Sequence, residues 1–304
     1  MTAQLLRGAG LSARLRAEIE SSTRLLISSG GGSPRLATLL VGDDPSAEAY
    51  RISIERTMTR VGIEHVPINL PGSVKPVEFT NALDSLNIDR EITGILVLMP
   101  LPDHLPSSLV HEHLSPMKDV DGITPTNAGR LHMGLPSLRP STPQGGVELL
   151  DHYGVELEGR RVVVIGRSNV VGRPLASLLV QRNATVTICH RRTVDLADIT
   201  RTADILASAT GHAHLVTAAM VKPGAVVLDF GVNVVDGHVV GDVAYDEVYE
   251  IAGGITPVPG GTGPVTALVL ARNTVAAGFV ALSGSLDHAD LVRAVGHAPA
   301  VRVE

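Results

Sequence analysis

The stretch that decides the fold is Val162-Val163-Val164-Ile165-Gly166-Arg167-Ser168-Asn169-Val170-Val171-Gly172-Arg173-Pro174. Its apolar residues 162–165 predict a buried strand, and the apolar pattern after the second glycine predicts a helix. A strand, a glycine turn and a helix in this order form the usual cradle for a dinucleotide pyrophosphate, in which free N–H groups of the first helical turn face the phosphates. Gly166 lets the backbone turn sharply, and Gly172 lets the helix begin close to the strand. Because Ser168 and Val171 stand where the common G-x-G-x-x-G loop has glycines, an ordinary strand–helix turn stays open as the alternative.

Composition and charge exclude several classes of protein. The chain has 304 residues, 44% of them hydrophobic, which is enough for two ordinary domains with full cores. Its formal net charge of −6 and the lack of a basic run argue against nucleic acid as a partner. The single cysteine, Cys189, excludes an internal disulfide. We expect a soluble cytoplasmic protein with no membrane partner, since the amino terminus resembles no signal peptide and no apolar run reads as a membrane span.

Helix and strand patterns alternate along the chain. This alternation predicts the α/β fold class, with mainly parallel sheets and helices on their faces. An N-terminal α/β domain over 1–139 contains strand patterns and a helix that Ser46 is expected to cap; the strand patterns lie at 36–41, 66–70 and 94–97. A loop rich in glycine and proline, 116–141, marks the boundary.

A Rossmann-like dinucleotide-binding domain is predicted over 140–263. Its helix is expected at 172–182, and its strands at 161–165, 184–188, 204–208 and 225–230. A C-terminal helix within 264–304 is expected to complete the first domain.

The end of the second Rossmann strand bears on the choice of nucleotide. NAD-binding proteins place an acidic residue there for the ribose 2′-hydroxyl, whereas a 2′-phosphate favours arginine. No acidic residue lies between Glu158 and Asp195, while Arg167, Arg191 and Arg192 are available, and a guanidinium binds phosphate through two hydrogen bonds. The pattern favours NADP over NAD, and a solvated basic turn is the alternative.

Two carboxylates, Asp119 and Asp121, stand close together in the loop before the boundary. They fit acid–base partners or metal ligands, but at this spacing an extended backbone points them apart. No histidine or cysteine cluster accompanies them, so no metal site is predicted. Cys189 at a strand end is expected to pack rather than to react.

Nine segments, taken in order, resemble the bifunctional methylenetetrahydrofolate dehydrogenase/cyclohydrolase family of the FolD type. They span about residues 35 to 275: 41–45 (VGDDP) with Tyr50, 94–97 (GILV) with 100–102 (PLP), 118–122 (KDVDG), 140–143 (PSTP), 164–168 (VIGRS), 171–174 (VGRP), 184–187 (ATVT), 221–225 (VKPGA), and 256–261 (TPVPGG) with 263–264 (GP).

This resemblance implies two domains flanking a cleft, a homodimer joined through the nucleotide-binding domain, NADP in that domain and a tetrahydrofolate derivative in the cleft. It gives catalytic roles to Tyr50, which stacks near the folate rings, and to Asp121, which hydrogen-bonds the pterin. It implies a substrate pocket that also contains Pro100, Leu101, Gly260, Gly261 and Pro264. The residues it places at the nucleotide are Gly166, Arg167, Ser168, Gly172, Arg191 and Val232.

Two positions depart from the family pattern. The family carries a catalytic lysine four residues after the tyrosine, where this chain has Ile54, and a glutamine at the end of the 94–97 strand, where it has Leu98. Hydride transfer depends above all on orientation, whereas cyclohydrolysis needs a titrating group. We therefore expect a dehydrogenase whose cyclohydrolase activity is lost or strongly reduced. A paralogue that performs another folate-dependent one-carbon step, and a non-catalytic nucleotide- or folate-binding protein, stay open.

Overall fold

The computed structural model describes residues 2–286 and divides into two compact units. One, here called the three-stranded unit, contains Arg14–Ser141 and residues 267–286; the other, the six-stranded unit, contains residues 2–13 and Thr142–Thr266. The predicted α/β class is confirmed. Of the helix expected within 264–304, the part from 287 to 304 lies outside the described residues.

The three-stranded unit is built on a parallel sheet. Its strands are β2 (Arg35–Val41), β3 (Glu64–Leu70) and β4 (Gly94–Val97), in the order β3-β2-β4. Helix α1 (Ala9–Leu26) precedes the strands and enters this unit at Arg14. The helices between and after the strands are α2 (Pro45–Arg60), α3 (Pro76–Ile88), α4 (Ser108–His113) and α5 (Pro125–His132). The central strand β2 is almost wholly buried, which explains its near-continuous apolar sequence.

The cap of helix α2 was predicted wrongly. The carboxylate of Asp44, rather than the hydroxyl of Ser46, accepts the backbone N–H of Ala47 at 2.8 Å. Pro45 occupies the first helical position, which suits its fixed φ and its missing N–H, so the capping position falls one residue before it.

The six-stranded unit has a parallel sheet that begins with β1 (Gln4–Leu5) and β11 (Gly254–Ile255) and continues in the order β8 (Val226–Asp229), β7 (Ile205–Ser208), β5 (Arg161–Ile165), β6 (Thr185–Cys189). The strands β5, β6, β7 and β8 confirm the four predicted strands to within a residue at each end, and β6 lies at the edge of the sheet. The helices are α6 (Ser141–His152), α7 (Gly172–Val180), α8 (Leu196–Thr200) and α9 (Tyr245–Tyr249). An antiparallel ribbon that the sequence did not predict joins β9 (Asn233–Val235) to β10 (His238–Val240).

The amino terminus was assigned to the wrong domain. Strand β1 (Gln4–Leu5) pairs in parallel with β11 (Gly254–Ile255) and extends the six-stranded sheet. Two-residue strands carry no readable alternation, so only the backbone hydrogen bonds between distant segments decide where they lie.

The last helix, α10 (Gly263–Ser283), also departs from expectation. It is long and apolar enough to cross a membrane by length and composition, although no such run was predicted. Within its most apolar stretch, 89% of the residues are buried inside the protein, as in the core helix of a globular domain.

Candidate active site and nucleotide-binding site

Helix α2 brings Tyr50 and Ile54 one turn apart on the same side of the helix. Tyr50 keeps 38% of its surface exposed, whereas Ile54 is fully buried. Leu98 is also buried, at 2% exposure, and its backbone N–H donates to the Leu39 carbonyl at 2.9 Å, which continues the β4–β2 pairing by one residue. Both aliphatic side chains therefore belong to the core of the three-stranded unit.

Asp121 is the carboxylate whose environment points to chemistry. The hydroxyl of Ser141 donates to its Oδ1 at 3.0 Å. Burial, and after it the charge of Asp119, raise the pKa of Asp121 to about 7, although hydrogen bonds from Ser141 act in the opposite direction. Burial, and after it the nearby charge of Asp121, raise the pKa of the Tyr50 hydroxyl. The two predicted catalytic residues are therefore close enough to interact electrostatically.

Asp119 has a different role from its neighbour. It is fully buried and accepts hydrogen bonds from the N–H of Ile123 at 3.1 Å, from the N–H and hydroxyl of Thr124 at 2.8 and 2.7 Å, and from Asn127 Nδ2 at 2.9 Å. These bonds hold the start of α5. The two carboxylates thus point to separate partners, and only Asp121 is left to bind a ligand.

Lys118 is committed to the fold as well. Its ammonium donates to the carbonyls of Leu86 and Asp89, at 2.9 and 2.5 Å, at the carboxyl end of α3. A cation is favourable there because helical carbonyls are otherwise unsatisfied. The Lys118 ammonium therefore has a structural role at the end of α3.

Two supporting residues were missed by sequence reasoning. The sequence indicated Ser141 only as part of the motif at 140–143 and did not indicate Asn273. Asn273 of α10 donates from Nδ2 to the carbonyls of Val120 and Arg139, at 2.8 and 2.7 Å. Both bonds steady the loop that carries Asp121. The available signal was an asparagine inside an otherwise apolar helix, because a buried amide requires partners.

The glycine turn of the six-stranded unit has the predicted close approaches. Gly166 has φ +127°, and a Cβ there would lie 2.3 Å from the Ala209 carbonyl oxygen. A Cβ on Gly172 would lie 2.1 Å from the Gly166 carbonyl oxygen. Larger side chains at either position would open the turn, so both glycines are required for its shape.

The expectation that free N–H groups of α7 face the phosphates was wrong. Ser168 occupies them: its hydroxyl accepts the N–H of Val171 at 3.0 Å and of Gly172 at 3.4 Å, and its carbonyl accepts the N–H of Arg173 at 3.1 Å. Pro174 has no N–H. In the described chain, the N–H groups of the preceding turn, 167–170, have no protein acceptor.

The arginines lie at the same edge of the sheet. Ile165 of β5 pairs with Cys189 of β6, so Arg167 and Arg191 each follow two residues beyond that pair. Both are exposed, and in the described part of the chain neither forms an ion pair. Unoccupied N–H groups beside unpaired guanidiniums suit a pyrophosphate and a further phosphate group.

The other predicted site residues are divided between the units. Pro100 and Leu101 follow β4 in the three-stranded unit, and Val232 follows β8 in the six-stranded unit with 74% of its surface exposed. Gly260 and Gly261 belong to the six-stranded unit with Pro264, the second residue of α10. The Gly260 carbonyl accepts the N–H of Gly8 at 2.9 Å, which ties this turn to the amino terminus.

The fold and the cradle together define the class: a two-domain α/β protein with a Rossmann-like nucleotide-binding domain. Two family descriptions match the chain: "Tetrahydrofolate dehydrogenase/cyclohydrolase, NAD(P)-binding domain" at residues 140–280, and "Tetrahydrofolate dehydrogenase/cyclohydrolase, catalytic domain" at residues 6–121. The chain therefore belongs to the tetrahydrofolate dehydrogenase/cyclohydrolase family.

Relatives agree with this assignment over nearly the whole chain. "Bifunctional protein FolD" of Chloroflexus aurantiacus is 48% identical over 278 residues, which is 91% of this chain and 98% of that protein. The solved FolD structure from Campylobacter jejuni is 41% identical with a TM-score of 0.87, and covers 91% of this chain and 98% of its own. The Trypanosoma brucei N5,N10-methylenetetrahydrofolate dehydrogenase–cyclohydrolase, solved with NADP and an inhibitor, is 33% identical with a TM-score of 0.88. The match covers 93% of this chain and 99% of that chain. The predicted family and the NADP cofactor are confirmed.

Proposed function

We propose that this protein is a cytoplasmic NADP-dependent 5,10-methylenetetrahydrofolate dehydrogenase of one-carbon metabolism whose methenyltetrahydrofolate cyclohydrolase activity is lost or strongly reduced. The observation that carries the proposal is the buried aliphatic pair Ile54 and Leu98, at the positions where the family pattern has lysine and glutamine. The test compares two activities in one preparation: NADP-dependent oxidation of methylenetetrahydrofolate, and hydrolysis of methenyltetrahydrofolate.

The dehydrogenase step requires little acid–base chemistry from the protein. Bound NADP supplies a nicotinamide that accepts a hydride. The residues of the chain hold the folate: Asp121 accepts hydrogen bonds from pterin N–H groups, and the exposed ring of Tyr50 packs against the folate rings. Orientation of this kind provides much of the rate of a group transfer between two bound molecules, and neither residue has been replaced.

The hydrolytic step requires acid–base chemistry from the protein. Adding water to a methenyl carbon requires a group that takes and returns a proton, and neither Ile54 nor Leu98 has one. Arg51, one residue after Tyr50, pairs with Glu48 at 2.5 Å, and this partner raises its pKa further. Removing both members of a polar pair leaves no unsatisfied group behind, so the replacement costs the fold little.

The nucleotide site is proposed to contain Gly166, Arg167, Ser168, Gly172, Arg191 and Val232. Arg191→Ala is expected to weaken NADP binding about tenfold or more and to leave NAD binding unchanged, since it removes a charge-assisted contact with the 2′-phosphate. Calorimetric titration with each nucleotide measures this ratio. Arg60→Ala, an exposed arginine of α2, controls for the loss of one positive charge. Equal affinity of the unmodified protein for NADP and NAD would contradict the assignment.

A homodimer through the six-stranded unit is also proposed. The β9–β10 ribbon exposes Val234, Val235 and Val239, at 70%, 37% and 44%. A cluster of exposed valines on one ribbon is typical of a surface that a second copy covers. Sedimentation equilibrium is expected to give twice the chain mass, and Val234→Asp to shift the protein toward monomer. A monomer at micromolar concentration would contradict this proposal.

A further inference from the structure

Two carboxylates lie buried in the six-stranded unit. Asp229 ends β8 and Asp242 comes two residues after β10, with 3% and 0% of their surfaces exposed. In the part of the chain that the structure describes, neither forms an ion pair. Burying such groups is costly unless hydrogen bonds compensate, so their partners indicate what they are for.

Asp242 collects five donors. Its Oδ2 accepts the Ser208 hydroxyl at 3.0 Å and the N–H groups of Thr210 and Gly211 at 2.6 and 3.3 Å. Its Oδ1 accepts the N–H of His212 at 3.0 Å and Asn233 Nδ2 at 3.1 Å. One side chain thus fixes the end of β7 and the segment that follows it, residues 208–212, and reaches Asn233 after β8.

Asp229 holds Asp242 in turn. Its Oδ1 accepts the N–H groups of Gly231 and Asp242, at 2.8 and 3.0 Å, and its Oδ2 accepts the N–H of Val243 at 2.9 Å. A Cβ on Gly241 would lie 1.8 Å from Asp229 Oδ2, and a Cβ on Gly231 2.3 Å from Asp242 Oδ1. The chain therefore passes too close to both carboxylates for any residue but glycine at these two positions.

The segment that Asp242 fixes is a wall of the nucleotide cradle. Ser208 pairs with Ile165, the last residue of β5, and the carbonyl of Ala209 lies against Gly166 where a Cβ would clash. In sheets of this type, dinucleotides bind at the carboxyl ends of the strands. Residues 208–212 and 231–233 follow two of those ends, β7 and β8.

We propose that Asp242 is a positioning residue for the NADP site: it holds residues 208–212 and 231–233 in the shape that receives the nucleotide, with Asp229 as its support. All five of its partners are donors, so the site requires an acceptor at both oxygens. An asparagine in either orientation would turn an NH₂ group toward N–H donors. The inference rests on the nucleotide site proposed above.

The test is Asp242→Asn, titrated calorimetrically with NADP well below its unfolding temperature. We expect the Kd for NADP to rise about tenfold or more, because two or more of the five hydrogen bonds are lost. Binding of a tetrahydrofolate ligand is expected to stay at the parental level. Asp246→Asn is the matched control, since Asp246 is exposed on α9 and its side chain forms no hydrogen bond in the described residues.

Each outcome separates the possible roles. A folded Asp242→Asn protein that melts earlier but binds NADP with the parental Kd would show a merely structural residue and overturn the inference. If the unmodified protein failed to bind NADP, the nucleotide site itself would be wrong. Should Asp242→Asn not fold, Ser208→Ala decides: it removes a single donor, and we expect a rise in Kd of about threefold, while an unchanged Kd overturns the inference.

Discussion

Methenyltetrahydrofolate is expected to decay in the presence of this protein little faster than in buffer, while NADP-dependent oxidation of methylenetetrahydrofolate proceeds. The two steps differ in what they need from positions 54 and 98. Ile54 and Leu98 are buried, at 0% and 2% exposure. Because both side chains are aliphatic, neither can give or take a proton or form a hydrogen bond with water. Loss of a positioned acid or base typically costs about 10²–10⁴ in rate. The measurement is methenyltetrahydrofolate decay, corrected for the spontaneous rate.

Restoring the pair tests the physical reason. Ile54→Lys with Leu98→Gln is expected to recover measurable hydrolysis, whereas Ile54→Lys alone recovers little, because Leu98 leaves the ammonium unpaired in an apolar wall. Ile52→Lys with Leu98→Gln is the matched control, since residue 52 lies on a different side of α2. Robust hydrolysis by the unmodified protein would show that another residue performs the step. Binding of both ligands with neither activity would favour a non-catalytic protein.

Asp121→Asn is expected to lower kcat/KM for the folate by about a hundredfold while NADP affinity is retained. An asparagine presents a mixed donor and acceptor to pterin groups that are donors, so it loses one charged contact and leaves another group unsatisfied. Steady-state kinetics with each substrate varied in turn measures the effect on kcat/KM for the folate separately from the effect on NADP. Asp119→Asn is the informative comparison, because that carboxylate accepts only internal donors and its loss should lower the unfolding temperature instead. Equal weakening of both ligands by Asp121→Asn would make Asp121 a structural residue.

The same carboxylate gives the reaction a pH dependence. Since the pKa of Asp121 is raised to about 7, the ionised form that accepts pterin hydrogen bonds is complete above that pH and is lost as the pH falls through it. Folate affinity should fall about tenfold between about pH 8 and about pH 6. In Asp121→Asn this change should be absent over the same range. An identical slope in both proteins would assign the titration to another group.

The sequence alone determined the elements whose signals are local. The β5 strand, the turn with Gly166 and Gly172, and helix α7 follow from apolar periodicity and from two positions where only glycine fits. Strands β2 to β8 were predicted from local apolar runs, as in β4, which is buried along its whole length and apolar throughout. The family motifs, which also lie within short segments, led to the folate and NADP assignments without any structure.

Tertiary structure decided whatever depends on a partner far along the chain. Asp119 and Asp121 are both aspartates two residues apart, but Asp119 accepts from four internal donors, whereas Asp121 accepts from a serine twenty residues away. Only their surroundings assign Asp119 to the fold and Asp121 to the site. Strand β1 pairs with a strand 250 residues later, and four of the five donors to Asp242 lie 30 to 34 residues before it. No local sequence pattern predicts such pairings, because a hydrogen bond depends on which groups are close in three dimensions. A short window of sequence does not contain the distant partner.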